Sequence, residues 1–297
     1  MFCSCGRPVL LAESDDDKKA IDDLKRQAKD QDGVAAELTQ ARVDQLQAEI
    51  NAEKAYQAAI SRANRSMIQS MANHATMRAI LGYTDEQLLA FVLDNGYGRA
   101  VQEFIDQADL IRESVRRAFE VTAQDFSFDK IELQVDTLQT ITTGAVFDDV
   151  VIPTVKSNIK EALRDLALGV AEETIRSNLA QKLESASGRQ LTEIRTKISQ
   201  YGRGVNAVAA DAAGLESYLY TGPIDGVTRG FCRELVNLVV TKKQMAKLNN
   251  GQGLSVITSG GGYNCRHSWS PVSEGFIKAA RLNKATNADI NKANARA

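Results

Sequence analysis

Proline, histidine and tryptophan are scarce in this chain: four, two and one among 297 residues, with aromatic residues at 6% in all. So little proline leaves long stretches without the ring that breaks helices, and the plentiful Ala, Gln, Glu, Leu and Arg lose little freedom in a helical backbone. The balance argues against an all-β fold. Neither sign of charge is in excess, since 36 Lys plus Arg face 38 Asp plus Glu for a net charge of −2. The surface as a whole therefore has no electrostatic reason to coat DNA or an anionic membrane, and any nucleic-acid contact is local. No run approaches the roughly 20 apolar residues that cross a bilayer. The apolar stretch Val9 to Ala12 is too short for a signal-peptide core and meets Asp15, Asp16 and Asp17 at once, so the chain is expected to be made in the cytoplasm and not exported by the general secretory route. Cys3 and Cys5 stand far from Cys232 and Cys265, which makes no compact disulfide framework and leaves reduced thiols as the expectation.

What is present is helical periodicity. After a polar N-terminal segment, 1–32, residues 33–80 contain no proline and only Gly33 as glycine. Leu46, Ile50, Ile60, Met67 and Met71 recur at helical spacing, which predicts one long helix or a broken pair. Glu53, Gln57 and Asn64 fall on the same seam, so packing against neighbouring helices is expected over a free-standing coiled-coil rod. Thr84 with Gln87 forms a capping box before Leu88, Leu89, Val92 and Leu93, and Asn95-Gly96 ends that helix. A helix follows from about Ala100 to Phe119. Ile131 to Ile141 reads as helix or strand. Thr154 after Pro153 opens a core helix carrying Val155, Ile159, Leu163, Leu166 and Val170. The pattern continues through Ile175, Leu179 and Leu183 to a stop at Ser187-Gly188, then resumes at Leu191 and reaches about Leu219.

From Thr221 glycine becomes frequent and the pieces shorten. This predicts a mainly α protein with long N-terminal helices followed by a small C-terminal α+β module with a β-hairpin. The expected division is 1–32, a helical domain 33–169, the α+β module 170–273, and a basic polar tail 274–297. Inside the module Asp225-Gly226 is a turn, Phe231 to Val240 a short helix, and Thr241 with Gln244 a capping box leading a helix that stops at Asn249, Asn250 and Gly251. Leu254 to Thr258 and Cys265 to Val272 read as the two strands of the hairpin, with SGGGYN at its tip. The tail, with Lys278, Arg281, Lys284, Lys292 and Arg296 against Glu274 and Asp289, is expected to be a solvated terminus, with DNA contact as the alternative.

On the second strand Cys265, His267 and Trp269 share one face, with Cys265 and His267 roughly 7 Å apart at Cα, a spacing that suits ligation of one zinc. Cys232 is a candidate third ligand and Cys3 or Cys5 a fourth, although the two-to-four-residue spacing of zinc fingers is absent. A nucleophilic reading would take Cys232 or Cys265 with His267 as base and Asp225 as orienter. The structural reading has both cysteines as buried small hydrophobes, or as a disulfide between helix and strand. SGGGYN precedes a strand where phosphate loops open a helix, so hairpin flexibility is expected of it. Arg229 is expected to form an ordering salt bridge with Asp225. His74 reads as a partly exposed helical residue.

The order of Asp225, Arg229 and Cys232, a short helix with its Asn-Gly stop, a glycine-rich loop, Asn264-Cys265-Arg266 and Pro271-Val272 resembles the C-terminal domain of the phage Mu F-like minor head proteins, also called phage head morphogenesis proteins. The likeness covers roughly 170–273 and includes the upstream IRTKISQYGRGVNAVAADAAG, which is similar to the helix before the motif in that family. The chain departs from it at Gly260, Gly261 and Gly262, where many members place a histidine, and at His267, where they place a second cysteine. The resemblance implies a bacteriophage virion protein present in few copies in the head. Such a minor capsid protein is portal-associated and acts in head assembly and in DNA packaging or ejection. Its implied partners are the portal protein and other capsid proteins, with packaged DNA at the basic tail as a further candidate. Asp225, Arg229, Cys232, Asn264, Cys265, Arg266, His267 and Trp269 then form a structural motif. No enzymatic activity and no cofactor is implied, zinc at Cys232, Cys265 and His267 staying open. The alternative is a Cys/His-based hydrolase or zinc-dependent enzyme centred on those three residues.

Overall fold

The computed structural model describes residues 15–31, 33–122 and 126–297. The chain is mainly helical with a small C-terminal mixed sheet. Helices α1 (Asp15–Lys29), α2 (Val34–Ser70), α3 (His74–Ile80) and α4 (Asp85–Val92) come first; a five-residue wide turn, Leu93–Tyr97, leads into α5 (Gly98–Thr122). Then follow α6 (Glu132–Val146), α7 (Ile152–Ala167) and α8 (Glu172–Ala212). The remainder is β1 (Ser217–Thr221), α9 (Gly230–Leu235), β2 (Leu238–Thr241), α10 (Lys242–Met245), α11 (Val256–Ser259), β3 (Ser268–Pro271), α12 (Glu274–Ala279), β4 (Asn283–Lys284) and α13 (Asn287–Ala295).

Packing groups the described residues into two units, one of 52–107 and 141–194, the other of 15–51, 108–140 and 195–297. Helices α2, α5, α6 and α8 contribute a segment to each. In the first unit Phe147 is met edge-on by Tyr56 at 6.2 Å and by Phe104 at 5.7 Å, a geometry that suits the ring quadrupoles. The expected broken pair is α2 and α3, and the Thr84 capping box is formed in full. Asn95-Gly96 ends α4, with Gly96 at φ +103 and so close to α2 that a Cβ would stand 3.2 Å from the Ala63 Cα. Asn64, a polar residue on the expected seam, is buried and bonds the Tyr97 hydroxyl and, at 3.2 Å, the Ser187 hydroxyl. Ser187-Gly188 does not stop the helix. The Ser187 hydroxyl bonds the Leu183 carbonyl at 2.9 Å within the turn, and α8 continues through Gly188.

The second unit carries the sheet, in the order β3-β1-β2-β4, with β1 antiparallel to both neighbours and β4 parallel to β2. Alternation along β1 sends Tyr218 and Tyr220 to one face and Leu219 to the other, and both faces are covered. Tyr218, Tyr220, Val240 and Trp269 pack with Phe231, Leu235, Ile290 and Ala293 of α9 and α13; Leu219, Val239 and Val272 pack with Leu38, Ala118, Phe276 and Ile277. Ala20, Ile21 and Leu24 of α1 pack on Val43, Leu46 and Ile50 of α2.

Several expectations are corrected here. The helix expected to reach Leu219 ends at Ala212, and SYLYT becomes the central strand because its residues are buried on both sides. The helix expected over Phe231 to Val240 ends at Leu235; Asn237 turns the chain at φ +64, and the β-branched pair Val239-Val240 joins the ladder beside β1. The hairpin of Leu254 to Thr258 with Cys265 to Val272 does not form. Residues 256–259 are a helical turn closed by Gly260 at φ +54, and the later strand shrinks to β3 and pairs with β1. Ile131 to Ile141 is helical, in α6 and the 3-10 turn before it. The tail is not a solvated terminus: it forms α12, β4 and α13, and Ile290 and Ala293 enter the core.

Candidate functional site

Just after β1, the turn at Asp225 organises the entry to α9. Its carboxylate accepts from the Val227 amide at 3.1 Å and the Thr228 hydroxyl at 2.9 Å, and lies 2.7 Å from the Arg266 guanidinium. Burial works against that charge, but Thr228 and Arg266 outweigh it and hold the carboxyl below its ordinary range. Arg229 does not pair with Asp225 as expected. It is the N-cap position of α9 and donates instead to the Tyr263 carbonyl at 2.7 Å, because the partner of Asp225 arrives from the far loop. Arg233 closes the same turn through the Thr228 carbonyl at 3.0 Å.

Helix α9 directs Cys232 inward, and the 260–267 loop brings Cys265 and His267 to meet it. The two sulfurs are 3.9 Å apart as free thiols, and Cys265 Sγ is 3.8 Å from His267 Nδ1. One ligand atom from each of Cys232, Cys265 and His267 lies within 4.8 Å of the others, and all three residues are buried. The contact with Cys232 holds the Cys265 thiol well below the ordinary range, aided by His267 and Arg203 and opposed by burial. That contact and burial push Cys232 up. Tyr220 completes the group: its hydroxyl is 3.4 Å from Cys232 Sγ and 3.6 Å from Cys265 Sγ, and its ring stacks on His267 at 5.3 Å and lies 4.1 Å from Trp269. Cys265, His267 and Trp269, expected on one face of a strand, do converge on Tyr220, although the first two lie in the loop before β3. Trp269 anchors its own end by donating to the Val256 carbonyl at 2.8 Å.

The loop owes its shape to glycine and to two buried arginines. A Cβ on Gly261 would lie 2.4 Å from Cys232 Sγ, and one on Gly262, at φ +103, would lie 2.2 Å from the Gln252 amide oxygen. The glycine run is thus close packing against the thiols and not hairpin flexibility; the Gly261 amide donates to Cys265 Sγ at 3.2 Å. Asn264 takes φ +54, a left-handed position that asparagine tolerates, and its amide donates to the Thr196 hydroxyl at 3.2 Å. Arg203 on α8 donates to the His267 carbonyl at 2.8 Å, the Thr258 carbonyl at 3.1 Å and the Cys265 carbonyl. Arg42 on α2 donates to the Arg266 carbonyl at 2.6 Å and pairs with Glu49 at 3.2 Å; burial lowers its pKa while Glu49 opposes the change.

Neither Tyr220, Arg42 nor Arg203 stood out in the sequence as part of this group. Tyr220 was hidden by reading its strand as helix. Arg203 did leave a signal, the Gly202-Arg203-Gly204 triplet inside a long helix, where glycine is ordinarily costly. Those glycines admit neighbours: a Cβ on Gly202 would meet the Gln45 side chain at 2.7 Å, and one on Gly204 would meet Leu138 at 2.7 Å.

As a catalytic constellation the group is incomplete, because Asp225 is engaged with Thr228 and Arg266 and does not orient His267, whose buried Nε2 has no hydrogen-bond partner among the described residues. The donors it offers a cation are two thiols and an imidazole. Cys3 and Cys5 lie outside the described residues, as does the side chain of His74. Comparison with protein-family models, with curated proteins and with solved structures finds no match for this chain.

Proposed function

We propose that the protein is a non-enzymatic minor head protein of a bacteriophage, associated with the portal vertex and acting in head assembly and in DNA packaging or ejection. The observation that carries this reading is how the motif residues are used. Asp225 is bound to Arg266, Arg229 to the 263 carbonyl, and Cys232 to Cys265 and Tyr220, so the residues that resemble the Mu F-like motif brace one another inside the second unit. The same arrangement suits a docking unit that holds its shape against portal and capsid proteins. In the tail, Lys284 pairs with Glu274 at 2.9 Å, and Lys292 and Arg296 pair with Glu234 at 2.6 and 3.1 Å. Cations already paired with carboxylates support a protein-facing surface over a DNA-binding arm.

Quantitative mass spectrometry of purified phage particles is the test. Detection at a few copies per particle, with co-purification of the portal protein, supports the proposal; absence from particles overturns it. The 3.8 Å approach of Cys265 to His267 favours a Cys/His hydrolase as the second reading. A thiol-directed activity probe decides between them. Labelling of Cys265 in the native chain supports the hydrolase, and protection of both thiols until denaturation removes it.

A further inference from the structure

The thiol and imidazole cluster is more specifically built than packing requires. A cysteine pair that only fills space needs no imidazole, yet His267 is buried beside the two thiols with its Nδ1 3.8 Å from Cys265 Sγ. The loop is also cleared around the sulfurs. Besides the 2.4 Å contact at Gly261, a Cβ on Gly260 would lie 3.0 Å from the Tyr220 hydroxyl and 3.1 Å from Cys265 Sγ.

Four donors lie close together. The separations are 3.9 Å between sulfurs, 3.8 Å from Cys265 Sγ to His267 Nδ1, and 3.4 and 3.6 Å from the Tyr220 oxygen to the two sulfurs. A tetrahedral zinc with Zn–S near 2.3 Å and Zn–N near 2.0 Å has S···S and S···N edges of about 3.8 and about 3.5 Å. The sulfur–sulfur and Cys265–His267 separations already lie close to those edges.

We propose that Cys232 Sγ, Cys265 Sγ and a ring nitrogen of His267 bind one zinc ion, with the Tyr220 hydroxyl at the fourth corner. Binding forms two Zn–S bonds to thiolates, and each thiol still protonated gives up its proton to solvent as its bond forms. The ion joins α9, the 260–267 loop and β1, adding to the Asp225–Arg266 pair and the Arg229–Tyr263 bond that already tie the first two. Its role is structural, since four protein donors leave no open position for a substrate.

The test uses the full chain carrying Cys3→Ser and Cys5→Ser, so that the N-terminal thiols contribute nothing, purified under reducing conditions and loaded with zinc or cobalt. One equivalent of metal per chain is expected, with a cobalt spectrum of tetrahedral d–d bands and thiolate charge transfer at the intensity of two sulfurs. Chelation should lower the melting temperature. His267→Gln should weaken zinc at least tenfold, and Tyr220→Phe by about tenfold with stoichiometry kept. Since Cys232→Ser or Cys265→Ser can fail to fold, the cobalt spectrum of the parent chain stands as the independent measurement. A reduced, folded chain that takes up no zinc or cobalt overturns the proposal, as does a spectrum without thiolate charge transfer. A Cys232–Cys265 disulfide that persists under those reducing conditions overturns it too.

Discussion

The Asp225 carboxylate and the Arg266 guanidinium, 41 positions apart in the chain, meet at 2.7 Å with both side chains largely buried. The pair ties the turn that launches α9 to the loop that delivers Cys265 and His267. Removing either partner leaves the other charge poorly solvated. Asp225→Asn and Arg266→Met should each destabilise the chain by roughly 1–3 kcal/mol in urea unfolding, and the double variant should cost less than the sum.

The same carboxylate imposes a pH dependence. Its folded pKa lies below the ordinary value of about 3.9, so its contribution is fully present above that value and is lost as pH falls through the folded pKa. The stability difference between the wild-type chain and Asp225→Asn should therefore be constant near neutrality and shrink below about pH 4. Paired urea titrations across that range measure it.

Arg203 donates to three backbone carbonyls from one planar guanidinium. Lysine keeps the charge but not the fork. Arg203→Lys should cost roughly 2–4 kcal/mol and raise amide hydrogen exchange across 258–267.

Glycine substitutions separate close packing from open helix. Gly261→Ala drives a Cβ into Cys232 Sγ and should destabilise by roughly 1–3 kcal/mol. Gly188→Ala, inside α8 with nothing within 4 Å, should stabilise by roughly 0.5–1 kcal/mol. Thermal melting of the two variants should shift in opposite directions.

Deleting 287–297 removes Ile290 and Ala293 from the sheet's core. A loss of roughly 2–4 kcal/mol is expected by calorimetry, where removal of a solvated terminus would cost nothing.

The helices were legible wherever a long apolar stripe or a local cap defined them. The Thr84-Gln87 and Thr241-Gln244 boxes and the Asn95-Gly96 stop depend on residues within a few positions of one another, and all form as read. Readings failed where burial on both faces erased periodicity. SYLYT buries two tyrosines on one side of the strand and Leu219 on the other, and a short run of that kind resembles a helix segment. The 256–259 segment is rich in β-formers yet turns helical because Trp269 takes its carbonyl and Gly260 closes it. Ile290 and Ala293 were too sparse on a polar segment to declare a core helix.

By itself the sequence determined that the chain is helical, that its chemistry-bearing residues collect near one end, and that Cys265, His267 and Trp269 point to one side of the chain. Those properties follow from propensity, capping and the two-residue alternation of side chains, all of them short-range. Tertiary structure alone decided that Cys232 reaches Cys265 and His267, that Tyr220 stands over all three, and that Arg42 and Arg203 hold the loop from helices more than fifty residues away. The reason is that a buried thiol or guanidinium takes whatever donor or acceptor the packing of distant elements places beside it, and spacing along the chain carries no record of that choice.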